Sequence, residues 1–305
     1  MIRTVTLFAL GLAATMLAVP ARALQVVATL PSLATLAREV AGPHATVECL
    51  LSPRQDPHYA DARPNLILSL NRADLLVVNG LELEVGWLPG LVRQARNPKI
   101  QTGTPGYFDA SLHVLRLAVP GRVDRAMGDI HPGGNPHFHW DPRAAALVAV
   151  ALGKSLGALD PAHAADYTKN AAVMSARFKA LAHEWTQKFA ALPEAERKLV
   201  VYHDSLVYLV DWLGLKQVIT VEPRPGIPPD PGHLAKVVGT VRTTGAKALA
   251  QEEYYPRGAS DQVAKLTGLR MAIVPGGANF GSGQRFDDYV RGLAKTLYEA
   301  LHGAP

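Results

Sequence analysis

The sequence predicts an α/β protein of two similar lobes, each with a mostly parallel sheet flanked by helices, joined by a long linking helix. Three observations carry this. Short β-branched runs alternate with helical patterns (QVVATL, SLATLAREVAG, TVECLL and then DLLVV), which is the order of βαβ units. The alternation restarts after residue 198 with KLVVY, SLVYLVDWLG, KQVITV, a helix near residues 232–244, KALAQ and RMAIV. Between the two series, Met174, Phe178, Leu181, Trp185 and Phe189 recur at spacings of four, three, four and four, a single apolar helical stripe.

The elements follow in chain order. Arg3, an apolar run from about Leu7 to Val19 and the small residues at Ala21-Arg22-Ala23 form a secretory signal peptide, with cleavage expected after Ala23. Its apolar run is short for a bilayer span, and no later stretch reads as a membrane helix. The first lobe is expected over residues 24–160, the linking helix over 161–193 and the second lobe over 194–305. Pro161 suits a first helical turn and Pro193 a stop. Some thirty helical residues would make a rod of roughly 45 Å. The two lobes open alike: VATLPSLATLAREVA and VVYHDSLVYLVDWLG each run strand, serine, apolar helix.

Bulk properties bound the function. About 282 residues beyond the signal peptide exceed a usual single core and favour two domains. Without Arg3 and Arg22, 29 basic side chains face 26 acidic ones, a net charge of +3. With no basic run and no aromatic residues interleaved with basic ones, nucleic acid is not an expected partner. Cys49 is the one cysteine, so no intrachain disulfide can form. Set in VECLL, it reads as a small buried hydrophobe rather than a reactive thiol, and it lies too far from the cleavage point to carry lipid. A freely soluble protein of the periplasm is expected.

Ligands of open α/β sheets sit beyond the carboxyl ends of strands, and three histidines fall there. His58 lies in SPRQDPHYADARP, a proline-broken loop after VECLL. His137 stands just ahead of Asp141-Pro142, a helix start, and His203 ends KLVVY ahead of a helix expected from Ser205. Neutral imidazole is a good zinc ligand, and three with one further ligand complete a tetrahedral ion. Each histidine taken singly is the kind of residue that loops and caps employ. Placement alone leaves the ligand and loop readings level.

At these residues the chain resembles the metal-binding cluster of periplasmic solute-binding proteins that serve ABC importers for zinc, manganese or iron. DPHYADARPNLILSLNRADLLVVNGLELEVGW is similar to that family's first-ligand region. NPHFHWDP resembles its Asn-Pro-His motif, DPAHAADYTKNAAVMSARFKAL its linking helix and VVYHDSLVYLVDWLGL its third-ligand strand. The resemblance spans essentially all the chain after the signal peptide. It implies that His58, His137 and His203 bind one metal ion between the lobes, that the ion passes to a membrane permease and that nothing is catalysed. Histidine-rich ligation favours Zn2+ over Mn2+. The expected partners are the ion and the permease of an ABC importer, with the protein itself a monomer.

Two departures bear on the site. The family usually supplies a fourth ligand, an aspartate near the end of a late strand, where this chain reads RMAIVPGGANFGSG with no carboxylate between Met271 and Gly283. Many zinc-specific members carry a histidine-rich loop before the second ligand, where PGRVDRAMGDIHPGG holds only His131. His139 is placed to approach the ion or to lie behind it, since residues two apart in extended chain share a face. HEWTQ at 183–187 lacks the second histidine of a metalloprotease helix, and GSG at 281–283 lacks a nucleophile elbow. Glu252 and Glu253 read as a second layer around the ion or as caps and solvated groups, and EPRPGIPPDPGH as a lid or a stiff connection. The rival functions are a manganese or iron member of the same family, an exported zinc hydrolase with Glu252 or Asp204 as base, and a surface adhesin of the same fold.

Overall fold

The computed structural model describes residues 23–61, 63–122, 128 and 130–303. Apart from Ala23, the expected signal peptide lies outside these residues. Two four-stranded sheets, all parallel, are flanked by helices. The first contains β1 (Leu24–Ala28), β2 (Ala45–Cys49), β3 (Leu75–Val78) and β4 (Tyr107–Asp109) in the order β2-β1-β3-β4. The second contains β5 (Lys198–Val201), β6 (Lys216–Thr220), β7 (Ala248–Glu252) and β8 (Arg270–Val274) in the order β6-β5-β7-β8. The strand order is the same in both, as the similar openings foretold. β4 carries no signal in the sequence, because three residues are too few to show a period.

The central strands are apolar on both faces, since helices cover both sides of a parallel sheet. All four residues of β3 are buried, as are Leu199, Val200 and Val201 of β5. Around the first sheet run α1 (Pro31–Ala41), α2 (Pro64–Arg72), α3 (Leu88–Ala95) and α4 (Pro142–Leu159). Around the second run α6 (Val207–Trp212), α7 (Pro231–Thr244), α8 (Gly258–Thr267) and α9 (Phe286–His302).

The long helix is α5 (Ala164–Ala190), 27 residues, entered through a 3-10 turn at Pro161–His163. Its predicted stripe is fully realised, with Met174, Phe178, Leu181, Trp185 and Phe189 all buried. α5 lies along α4, and α1 and α9 also pack on it. α4 corrects one expectation: it is long and apolar enough to cross a membrane. Half of it is buried in the fold, however, which accounts for its composition as a core helix against α5.

One apolar core runs through the first sheet, α4 and α5 and on into α6 and α9, while a smaller one fills the space between the second sheet and α7 and α8. Polar ties close the remaining seam. Arg38 of α1 donates to the carbonyls of Phe280 (2.9 Å) and Gln284 (2.8 Å). Arg177 of α5 bridges Glu39 (2.7 Å) and Asp287 (3.1 Å). Cys49 is half-buried rather than fully buried, and its thiol donates to Leu51 O. Burial pushes that thiol up to about 12, so it is an unreactive group, as expected.

Candidate metal centre

His58, His137 and His203 converge. One ring nitrogen from each lies within 4.8 Å of the other two, and all three side chains are buried. The ring centroids of His58 and His137 are 5.0 Å apart, those of His58 and His203 5.4 Å, and those of His137 and His203 5.6 Å. A tetrahedral zinc with bonds of about 2.0–2.1 Å to nitrogen sets imidazole centroids roughly 5.2 Å apart. The ring spacing is therefore that of a metal cage, with ligand nitrogens within 4.8 Å of one another that would close to roughly 3.3 Å around zinc.

Each ring is aimed by its neighbours. His58 sits beyond β2, where Asp56 Oδ1 accepts both its backbone N–H (3.0 Å) and its Nδ1 (2.7 Å). Trp87 Nε1 fixes the same loop by donating to Pro57 O at 3.0 Å. With Nδ1 engaged, His58 turns Nε2 inward, and that buried nitrogen has no hydrogen-bond partner. His203 lies two residues past β5 at the point where the strand order of its sheet reverses, and its Nδ1 is held by Glu222 Oε2 at 2.7 Å. Paired carboxylates of this kind fix the tautomer of a metal-binding histidine and raise its basicity.

His137 is aimed by backbone instead. Its N–H donates to Asn135 Oδ1 (3.0 Å), Asn79 Nδ2 holds Pro136 O (2.8 Å), and Tyr208 Oη donates to Asn135 O (3.0 Å). Asn135 Nδ2 also donates to Asp204 O at 2.6 Å, tying the His137 segment to the His203 segment. Just downstream, Asp141 caps α4 by accepting from Arg143 N, with Pro142 in the first turn, as the sequence predicts. Both ring nitrogens of His137 are buried without a partner. An orphaned buried nitrogen is costly, and a metal ion among these imidazoles would engage one of the two on His137 through its lone pair.

The electrostatics agree. Burial, with the charge of the surrounding histidines, holds His137 well below the ordinary histidine range, so it is neutral and able to ligate. Burial also opposes charge on His203, but the Glu222 hydrogen bond and charge outweigh it, and His203 ends above the ordinary value. A cleft of about 460 Å³ opens onto His137 and His203, with His131, Asp204 and Glu222 also on its wall.

The other candidates fall elsewhere. His139 is buried against Trp140, with ring centroids 4.9 Å apart, and lies 5.8 Å from His137. It stands outside the ligand-distance group among the described residues, and burial first, then the charge of His58, lowers it to about 3. Glu253 is exposed. Glu252 is fully buried and accepts from Ser205 Oγ, so it neither faces water nor caps a helix. The helix expected from Ser205 begins at Val207. His183 and Glu184 of HEWTQ lie on α5, and Glu184 pairs with Arg291. Sequence reasoning missed Asp56, Asn135 and Glu222. Asp56 and Asn135 stand two residues before a predicted ligand, which is a readable signal. Glu222 heads the EPRPG loop and reaches His203 only through the pairing of β5 with β6.

Fold and site together define a two-lobed binding protein for a divalent metal ion. The sequence profile of the zinc-uptake complex component A family, periplasmic (ZnuA), matches residues 26–300, and the chain belongs to this family. The iron-binding protein YfeA of Yersinia pestis is 26% identical over 254 residues, 82% of this chain and 76% of that protein. The manganese ABC transporter substrate-binding lipoprotein PsaA of Streptococcus anginosus is 29% identical over 181 residues, 58% of this chain and about half (55%) of that protein. A crystal structure of a zinc-bound ZnuA deletion mutant covers 93% of this chain and 100% of its own at 23% identity, with a TM-score of 0.77, and shares the fold. As a member of this metal-uptake family, the chain is a binding protein and not an enzyme.

Proposed function

We propose that the protein captures zinc in the periplasm, holds it on His58, His137 and His203, and delivers it to the permease of an ABC importer. The observation that carries this is the orphaned nitrogen set. Three buried imidazoles meet at metal-cage spacing, and two of them are braced from behind by carboxylates. Relatives are named for zinc, manganese and iron, so the family alone leaves the metal open. Neutral nitrogen donors favour zinc, whereas manganese is better served by carboxylate oxygens. On this reading the signal peptide is removed after Ala23 and the mature chain acts as a monomer. Residues 24–160 and 194–305 then form the two lobes on either side of a link over 161–193.

The test is metal content and competition. Protein purified without added metal should carry zinc at one ion per chain, and zinc should displace manganese and iron(II) in competitive titration. Preferential retention of manganese or iron would assign the cargo to that metal instead.

A further inference from the structure

We propose that His131 is the fourth zinc ligand and replaces the late-strand carboxylate that this chain lacks. The inference rests on the zinc-capture reading and deepens it. A tetrahedral ion on three imidazoles needs one more donor, and the segment after β8 is not built to offer one. Residues 271–283 contain no carboxylate. An ideal Cβ on Gly276 would lie 2.4 Å from the carbonyl oxygen of Pro53 and 2.4 Å from the Tyr254 ring. The backbone therefore passes too close to its neighbours for a side chain to grow there. Glu252 is a poor substitute, because Ser205 Oγ engages one of its carboxylate oxygens and Glu252 does not line the cleft onto which His137 and His203 open.

His131 stands where a donor is needed. Its ring centroid is 5.5 Å from that of His58, inside the spacing of the trio itself, and 6.4 Å from that of His137. His131 stands outside the group of ligand atoms that meet within 4.8 Å, so to reach the roughly 5.2 Å ring spacing expected around tetrahedral zinc its ring has to move in toward the trio. It lines the same cleft as His137 and His203. His139 is less well placed: among the described residues its ring meets only His137 and Trp140.

The segment that carries His131 is fitted between the lobes. An ideal Cβ on Gly128 would lie 2.5 Å from Pro225 O, on the loop that also bears Glu222, and one on Gly133 would lie 2.9 Å from Leu81 Cδ2. His131 O accepts Gly134 N at 3.1 Å, closing a turn that presents the ring to the cleft. A single histidine held this way brings the donor set to four nitrogens. That set strengthens the preference for zinc over manganese.

X-ray absorption at the zinc edge on the zinc-loaded mature protein, with zinc titrations, tests this. The parent should show four imidazoles. His131→Ala should show three with one oxygen from water and bind zinc at least tenfold more weakly, whereas His139→Ala should match the parent in both. Three imidazoles in the parent, with unchanged affinity in His131→Ala, would overturn the proposal and leave the trio standing. Parent-like zinc binding by His137→Ala would overturn the trio itself, so the two failures are distinguishable.

Discussion

The two sheets share one strand order, yet they use the crevice where that order reverses for different ends. In the first lobe the crevice is filled by Glu84. Its Oε1 accepts from Thr29 Oγ1 (2.6 Å) and Asn79 N (2.7 Å), and its Oε2 accepts from Gly80 N (3.1 Å). Leu81 and Glu82 adopt positive φ (51° and 64°) in the turn that returns Glu84 to the sheet. Such backbone is uncommon for residues with side chains and persists only where the surroundings enforce it. In the second lobe the same place holds His203, with Glu252 nearby under a single donor, Ser205 Oγ, and its Oε2 has no hydrogen-bond partner. The first crevice is satisfied and structural. The second is left under-satisfied, and under-satisfied buried polar groups are where a ligand gains most.

The comparison breaks first at Glu84. Glu84→Ala should destabilise the protein by roughly 3–5 kcal/mol, since buried donors left unmade cost about 1–3 kcal/mol each. Chemical denaturation at neutral pH measures it. A loss under about 1 kcal/mol would mean that the first crevice is not held together by this carboxylate.

Glu252 should behave in the opposite sense. Burial, opposed by the Ser205 hydrogen bond and the charge of His203, raises it to about 7 from an ordinary 4.5. The folded protein thus holds a proton that the unfolded chain releases. The contribution of this group is fully present below about pH 4.5 and is lost as pH rises through about 7. Glu252→Gln should remove this term, stabilising the protein by up to about 3 kcal/mol at pH 8 and by little at pH 4.5. Equal effects at both pH values would contradict the assignment.

The smallest effect is on the brace behind His203. Glu222→Gln should weaken zinc binding by about 10–100-fold at pH 8. Zinc takes the neutral ring, so parent affinity falls as pH drops through the raised His203 value. Without the Glu222 charge that value falls, and the acid loss of zinc should begin at lower pH. Zinc titrations across pH 5.5–8 would show the shift, and an onset moved upward would contradict it.

How much of this was legible in the sequence depends on range. The paired βαβ series, the α5 stripe and the three histidines were readable because each is local: a period, a run, or a residue next to a strand end. β4 and the start of α6 were not, being too short or too close to a turn for periodicity to speak. Glu222, Glu84 and His131 gain their meaning only when the sheets bring distant segments together. Glu222 is 19 residues from His203 and Glu84 is 55 from Thr29. Of the two readings of Glu252, the capping or solvated one fails for the same reason, because nothing beside it in sequence says that it will be buried against Ser205.

The most direct test of the central claim is calorimetric titration of zinc into the parent and into His137→Ala at neutral pH. His137 is aimed by backbone contacts and brings two orphaned nitrogens, so its removal strips the cage without disturbing a carboxylate brace. The parent should bind one zinc per chain, and His137→Ala should bind more than about 100-fold more weakly, beyond the loss expected for an outer partner. Binding within a few-fold of the parent would show that the histidine triangle between the lobes is not the zinc site.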